Sequence, residues 1–499
     1  MTECKYSFEK LTPYLEKYMA VRAAMNIIDW DNCTAAPEEA SEYTARVLGI
    51  LSQEQVTAIY NPNVKTILQY LDEEQLTDTE KAILKRLKKE YRRAEAIPLE
   101  EQREYTELTN KSFIMWQKAK KEQDFSIFAP YLEKVIAYKK KFAGYLKKDD
   151  ENLYDILLDE YEESFRMEEL ERFFGKLKKE IVPLLKKVQQ AENIDDSFLH
   201  QEYDIEKQKE FNRFIAEYLG FDFKRGLIAE SEHPFTTNWH NHDVRITTHY
   251  YKDNLTSAIL STIHETGHAL YEQGVDDTLT QTMVGEGASC AMHESQSRFY
   301  ENVIGRSEAF WKPVYPKLVE SFPKQLSEVS LECFVKALNK VKADFIRTEA
   351  DELTYCLHIM VRYELEKLMI EEDTPVDELP GLWKEKYEEY LGVTPENDSE
   401  GILQDVHWSM GDIGYFPSYA LGNAFAAQIY AAMKKELPID ELLMQGKISE
   451  ITAYLRENIH KYGASKEPRE MLKTLTGEEF NPDYYIEYLK EKFERVYGV

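Results

Sequence analysis

Apolar residues return every three or four positions through most of this chain, and that spacing admits little besides helix. Residues 63–96, 126–147, 167–191 and 311–344 each show the period against charged faces. Only 20 glycines and 17 prolines punctuate 499 residues, and no stretch rich in both marks a linker. The expectation is an all-α fold, with 1–499 forming a single helical domain. Pro183 lies inside the periodic stretch MEELERFFGKLKKEIVPLLKKVQQA and is expected to kink or split that helix.

One region departs from the helical period. FTTNWHNHDVRITTHY, residues 235–250, is rich in Thr, aromatic and β-branched residues. In DVRITTHY, Val244, Ile246 and Thr248 alternate with Arg245, Thr247 and His249. This pattern predicts a short β-hairpin with its turn near His240–His242. Either it decorates the surface or its edge accepts an extended peptide by backbone pairing.

Charge and cysteine content exclude several functions. The 62 basic and 91 acidic residues leave a formal charge of −29, which repels phosphate and argues against a nucleic-acid partner. Cys4, Cys33, Cys290, Cys333 and Cys356 are odd in number and lack C-x-x-C spacing, as expected of reduced thiols in a cytoplasmic protein. The N-terminal MTECKYSFEKLTPYLEKYM has no apolar centre of the signal-peptide kind, and no apolar run is long enough to span a membrane.

Of the eleven histidines, only His200 and His460 lie outside His233–His407. Within that stretch, DNLTSAILSTIHETGHALYEQG (253–274) has the marks of a helix. Asn254 or Asp253 can cap it, Gly274 can close it, and Ile259, Ile263 and Leu270 form a buried stripe. His264 and His268, four apart, project from one face on neighbouring turns and suit one zinc ion. Glu265 can reach a water bound there. Gly267, in mid-helix, is costly unless a neighbour packs closely against it. A catalytic zinc usually has a third protein ligand. A second predicted helix, 285–305, offers Glu286, His293, Glu294 and Glu301, and spacing alone does not choose among them.

Six ordered motifs resemble the carboxypeptidase Taq family of zinc metallocarboxypeptidases. They are His233-Pro-Phe, Asp243-x-Arg245-x-Thr247, His264-Glu265-x-x-His268, His293-Glu294-Ser-Gln, Ile346-Arg347-x-x-Ala-Asp351 and Gly401-x-x-Gln404-Asp405-x-His407-Trp408. The likeness extends over nearly the whole chain, with Ala36 standing where the family has methionine before Pro37. The resemblance implies a large helical peptidase fold with a deep central cleft and a small hairpin beside the metal. It also implies Glu294 as third ligand, one zinc per chain and a homodimer; by donor chemistry alone cobalt or manganese could take zinc's place. The implied activity removes C-terminal residues with broad specificity, proline being disfavoured.

On this reading Glu265 is the general base, and Tyr415 and His407 are candidate donors to the oxyanion. A substrate with a free C-terminus needs a cation, for which Arg347 and Arg245 are candidates. Arg347 is expected on a cleft-lining helix with Leu353, Leu357 and Met360, held by Asp351 one turn on. His233, Asp243, Thr247 and Gln404 are expected to shape the site. The rivals are a helical zinc oligopeptidase cutting internal bonds and a non-catalytic zinc-binding helical protein.

Overall fold

The computed structural model describes residues 6–148 and 150–499, so Cys4 lies outside the described residues. Helices dominate, and one small sheet interrupts them. Contacts divide the chain into two compact units, each assembled from three stretches that alternate along the sequence. The first comprises Met1–Glu95, Asp195–Leu338 and Ile429–Glu479; the second comprises Ala96–Ile194, Asn339–Gln428 and Phe480–Val499.

In the first unit, helices Thr12–Thr34 and Ser41–Ile59 pair as a hairpin. A core of Leu11, Ile59, Val64, Leu84 and Leu87 closes against Val275, Leu279 and Val284. The predicted hairpin is present as β2 (Thr236–His240) and β3 (Asp243–Thr248), antiparallel, with an irregularity between Asn238 and His240. The sheet has a further strand, β1 (Gly226–Glu230), parallel to β3, giving the order β1-β3-β2. Central β3 buries Val244 and Ile246 against Phe221, Ala216 and Ala269. Thr247, expected on the other face, is also buried, because the 231–235 loop folds over it.

Ala269 belongs to helix α1 (Leu255–Gly274), which packs on this sheet and carries the His-x-x-x-His pair. Helix α2 (Cys290–Arg298) packs on α1 and runs into a π-helical turn, Phe299–Ile304. The predicted helix 285–305 therefore begins five residues late, at the Ser289 cap, whose side chain accepts from the Met292 N–H.

In the second unit, helix α3 (Glu352–Glu371) is buried over most of its length, including the polar Glu352, His358, Arg362 and Glu366. Pro183 does not split its helix. Met167–Val188 is one element, held by the buried stripe Phe174, Leu177, Ile181, Leu184 and Leu185. The 311–344 stretch, by contrast, is broken into Glu308–Ser321, Pro323–Leu326 and Leu331–Leu338. Among the described residues no helix is long and apolar enough to cross a membrane, and Cys33, Cys290, Cys333 and Cys356 are free thiols.

Candidate metal centre

Helix α1 begins where the Asn254 side chain accepts from the Ser257 N–H at 3.2 Å, as the capping pattern predicts. Ile259, Ile263 and Leu270 are buried as expected. Gly267 marks a close helix crossing. A Cβ there would lie 2.7 Å from the Gln296 carbonyl oxygen and from Ser297 Cα of α2. Gly274 does not close the helix in a left-handed conformation; it is the last helical residue. Its lack of a side chain makes room for His460: a Cβ added at Gly274 would lie 2.6 Å from His460 Cβ.

With α1 and α2 this close, the ligand set is compact. One ligand atom from each of His264, His268 and Glu294 lies within 4.8 Å of the others. Glu294 Oε2 is 3.5 Å from His264 Nε2 and 3.4 Å from His268 Nε2. Two imidazoles and one carboxylate suit a divalent ion that keeps a further position open. Of the other third-ligand candidates, Glu286 is taken by Arg22 and Arg86. His293 and Glu301 instead contact His268 and His264 at the ring nitrogens turned away from Glu294.

The bonds at the far ring nitrogens decide the tautomers. Glu301 Oε2 is 2.8 Å from His264 Nδ1. A carboxylate only accepts, so Nδ1 carries the proton and Nε2 keeps its lone pair for the metal. On the other side, His293 Nε2 donates to Glu272 Oε1 at 2.8 Å, leaving His293 Nδ1 as an acceptor. His268 Nδ1 donates to it at 2.5 Å, and again Nε2 faces the ligand cluster. Glu272 is itself held by the Gly287 N–H and the Asn238 amide. Sequence reasoning assigned Glu272 and Arg298 no role. Glu272 stands four residues after His268 on the same face, the one signal that could have flagged it.

Charge distribution follows burial and these partners. Burial pushes His268 down to about 3, so it is neutral and able to ligate at neutral pH. Burial alone would raise Glu294, but Arg298 and His264 hold it well below the usual carboxylate range. Burial lowers and Glu294 raises His264, the net direction being up. Glu265 is buried, which raises it, while Thr236 Oγ1 donates to its Oε2 at 2.6 Å. Strand β2 thus touches the candidate base directly.

The remaining predicted site residues fall into two groups. In the first unit, Arg245 makes a forked pair with Asp243, both bonds 2.9 Å, and lies over the Trp239 ring. Thr247 Oγ1 accepts from Ser231 Oγ and from the Phe235 N–H, so it ties down the loop that carries the exposed His233.

Arg347, Gln404, His407 and Tyr415 belong to the second unit, apart in the chain's division from the candidate metal ligands. Arg347 is not on the helix but in a short turn before it. Asp351 does not hold its guanidinium; it caps α3, accepting from the Leu353 and Thr354 N–H groups. The partner is Asp405, whose Oδ1 accepts from Arg347 Nε at 3.0 Å and from its terminal nitrogen at 2.7 Å. Arg362 takes Asp405 Oδ2. The Gln404 side chain accepts from the Arg347 N–H and donates to the Phe345 carbonyl, pinning the turn. His407 stacks on Tyr415 at 5.5 Å and contacts Tyr419 OH through Nε2 at 3.3 Å; burial lowers it to about 4.

The model of the family described as carboxypeptidase Taq (M32) metallopeptidase matches residues 10–493. Carboxypeptidase 1 of Bacillus subtilis is 44% identical over 478 residues, covering 95% of each chain. Thermostable carboxypeptidase 1 of Pyrococcus furiosus is 38% identical, over 97% of this chain and 98% of that one. Among solved structures, the M32 carboxypeptidase from Deinococcus radiodurans R1 superposes with a TM-score of 0.95 at 34% identity, over 98% and 99% of the two chains.

Proposed function

Because the chain belongs to the carboxypeptidase Taq (M32) metallopeptidase family and is a peptide hydrolase, we propose that it is a zinc carboxypeptidase that removes single C-terminal residues with broad specificity, disfavouring proline. The observation that carries this reading is the convergence of His264 Nε2, His268 Nε2 and Glu294 Oε2, with Glu265 next along the same helix. Imidazole and carboxylate donors in this number suit zinc, and cobalt or manganese fit the same donors. When bound, the ion supplies Lewis acidity and acidifies the water that it holds.

The chain's own residues do the rest. Glu265, its carboxylate fixed by Thr236, takes the proton of the attacking water and passes it to the leaving amine. The substrate backbone pairs with the outer edge of β2. Because the Phe235 carbonyl accepts from Thr247 N–H, the alternate residues Thr236 and Asn238 turn their backbone groups away from β3. The Asn238 carbonyl is taken by Asn26, which leaves Thr236, beside Glu265, as the pairing point. Arg347, with Arg245 as the second cation, meets the substrate's terminal carboxylate. Tyr415 and His407 donate to the oxyanion, and His233, Asp243, Thr247 and Gln404 fix the surrounding loops. The family likeness also supports a homodimer, which light scattering tests; a monomer throughout would reject it.

The direct test is hydrolysis of one blocked peptide as free acid and as C-terminal amide, with and without chelator, for the wild type and Glu265→Gln. The expected result is chelator-sensitive loss of single residues from the acid alone, with Glu265→Gln slowed by about 10²–10⁴-fold. Internal cleavage of both forms would favour an oligopeptidase, and an undiminished Glu265→Gln would remove the base from its role.

A further inference from the structure

One side chain behind the metal centre touches both Glu294 and Glu301. Arg298 ends α2, four residues after Glu294 and three before Glu301, so all three lie on one face. Its Nε donates to Glu294 Oε1 at 2.6 Å, and a terminal nitrogen donates to Glu301 Oε2 at 3.1 Å. The side chain is 13% exposed. Glu301 sits in the π-helical turn, and Arg306 holds its other oxygen at 3.2 Å. Such turns often occur at functional sites, where the extra residue re-aims a side chain.

We propose that Arg298 is the positioning residue of the metal centre, fixing the ligand carboxylate in a one-oxygen presentation and fixing the carboxylate that orients His264. The inference rests on the reading of His264, His268 and Glu294 as metal ligands. With Oε1 held by Arg298, only Oε2 of Glu294 is presented to the two Nε2 atoms. A carboxylate released from that bond keeps only the Ser297 hydroxyl on Oε2, so it can turn from the two Nε2 atoms and change how many oxygens it offers the ion. The same guanidinium keeps Glu301 Oε2 against His264 Nδ1, and with it the tautomer that leaves Nε2 basic.

Charge and geometry predict opposite outcomes, which makes the proposal testable. A cation beside a dication is repulsive, so if Arg298 acted only through charge, its removal would tighten metal binding. If it positions, removal weakens binding. The full-length protein, stripped of metal, is titrated with zinc against a chromophoric chelator, and the cobalt-loaded protein is examined by visible absorption. Arg298→Met is expected to bind zinc about ten- to a hundred-fold more weakly. Its cobalt spectrum should change in intensity as the coordination number changes. Arg298→Lys, which keeps the charge but not the two-armed reach, is expected to recover only part of the affinity. Glu301→Gln should weaken binding through the His264 arm alone. Arg298→Met binding zinc as tightly as wild type or more so, with an unchanged cobalt spectrum, would overturn the proposal. If Arg298→Met does not fold, Arg298→Lys decides: wild-type values in both readouts would overturn it equally. A wild-type protein that takes up no zinc would overturn the metal centre itself, and this inference with it.

Discussion

Arg347 is buried, lies over the Tyr419 ring, and bonds Tyr355 as well as Asp405. A guanidinium kept in place by a carboxylate can serve the fold alone or can be held ready for a second carboxylate. The two roles separate in one comparison. Truncating a buried charge that meets a charged ligand costs about 2–5 kcal/mol of binding. Arg347→Met should therefore abolish the preference for free acid over amide while bound zinc stays stoichiometric. A variant that keeps the preference would leave Arg347 as no more than the partner of Asp405. At this scale the sequence picked out the candidate ligands that the structure brings together, because His264, Glu265 and His268 are local on one helix. It misplaced the support of Arg347: Asp405 lies 58 residues away, whereas Asp351 is near in sequence but points its oxygens at the start of α3. Capping is as good a use for an aspartate as ion pairing, and spacing does not distinguish the two.

At the level of elements, the metal centre depends on how closely α1 and α2 approach. Gly267→Ala tests this, since two effects oppose each other. Alanine favours helix over glycine by about 1 kcal/mol. A methyl group 2.7 Å from the backbone of Gln296 and Ser297 forces the helices apart, at about 1–3 kcal/mol. The structure predicts that the clash wins, so thermal unfolding of Gly267→Ala should occur at a lower temperature than wild type. A more stable variant would mean that the crossing tolerates the methyl. The hairpin was legible from its period of two, but β1 was not. GLIAE is short, carries no alternation, and becomes a strand because β3 offers it a parallel partner. Pro183 does not split its helix because the apolar stripe around it outweighs the loss of one helical hydrogen bond.

On the scale of the whole molecule, each compact unit is built from three separated stretches, and neither can be cut out as one piece of chain. The units should therefore unfold together, as expected of one domain over 1–499. Calorimetry should give one transition whose calorimetric and van't Hoff enthalpies agree. Two resolved transitions would show units that melt independently. Helical content was readable from periodicity, whereas this interleaving was not, because periodicity describes faces and not which faces meet.

On the reading proposed above, α1 and α2 together hold one divalent ion. This is tested most directly by diffraction from zinc-soaked crystals, with data collected on both sides of the zinc absorption edge. One anomalous peak per chain is expected, about 2.0–2.2 Å from His264 Nε2, His268 Nε2 and Glu294 Oε2. A peak bound instead by Glu301, Glu272 or His293, or none at these helices, would contradict it.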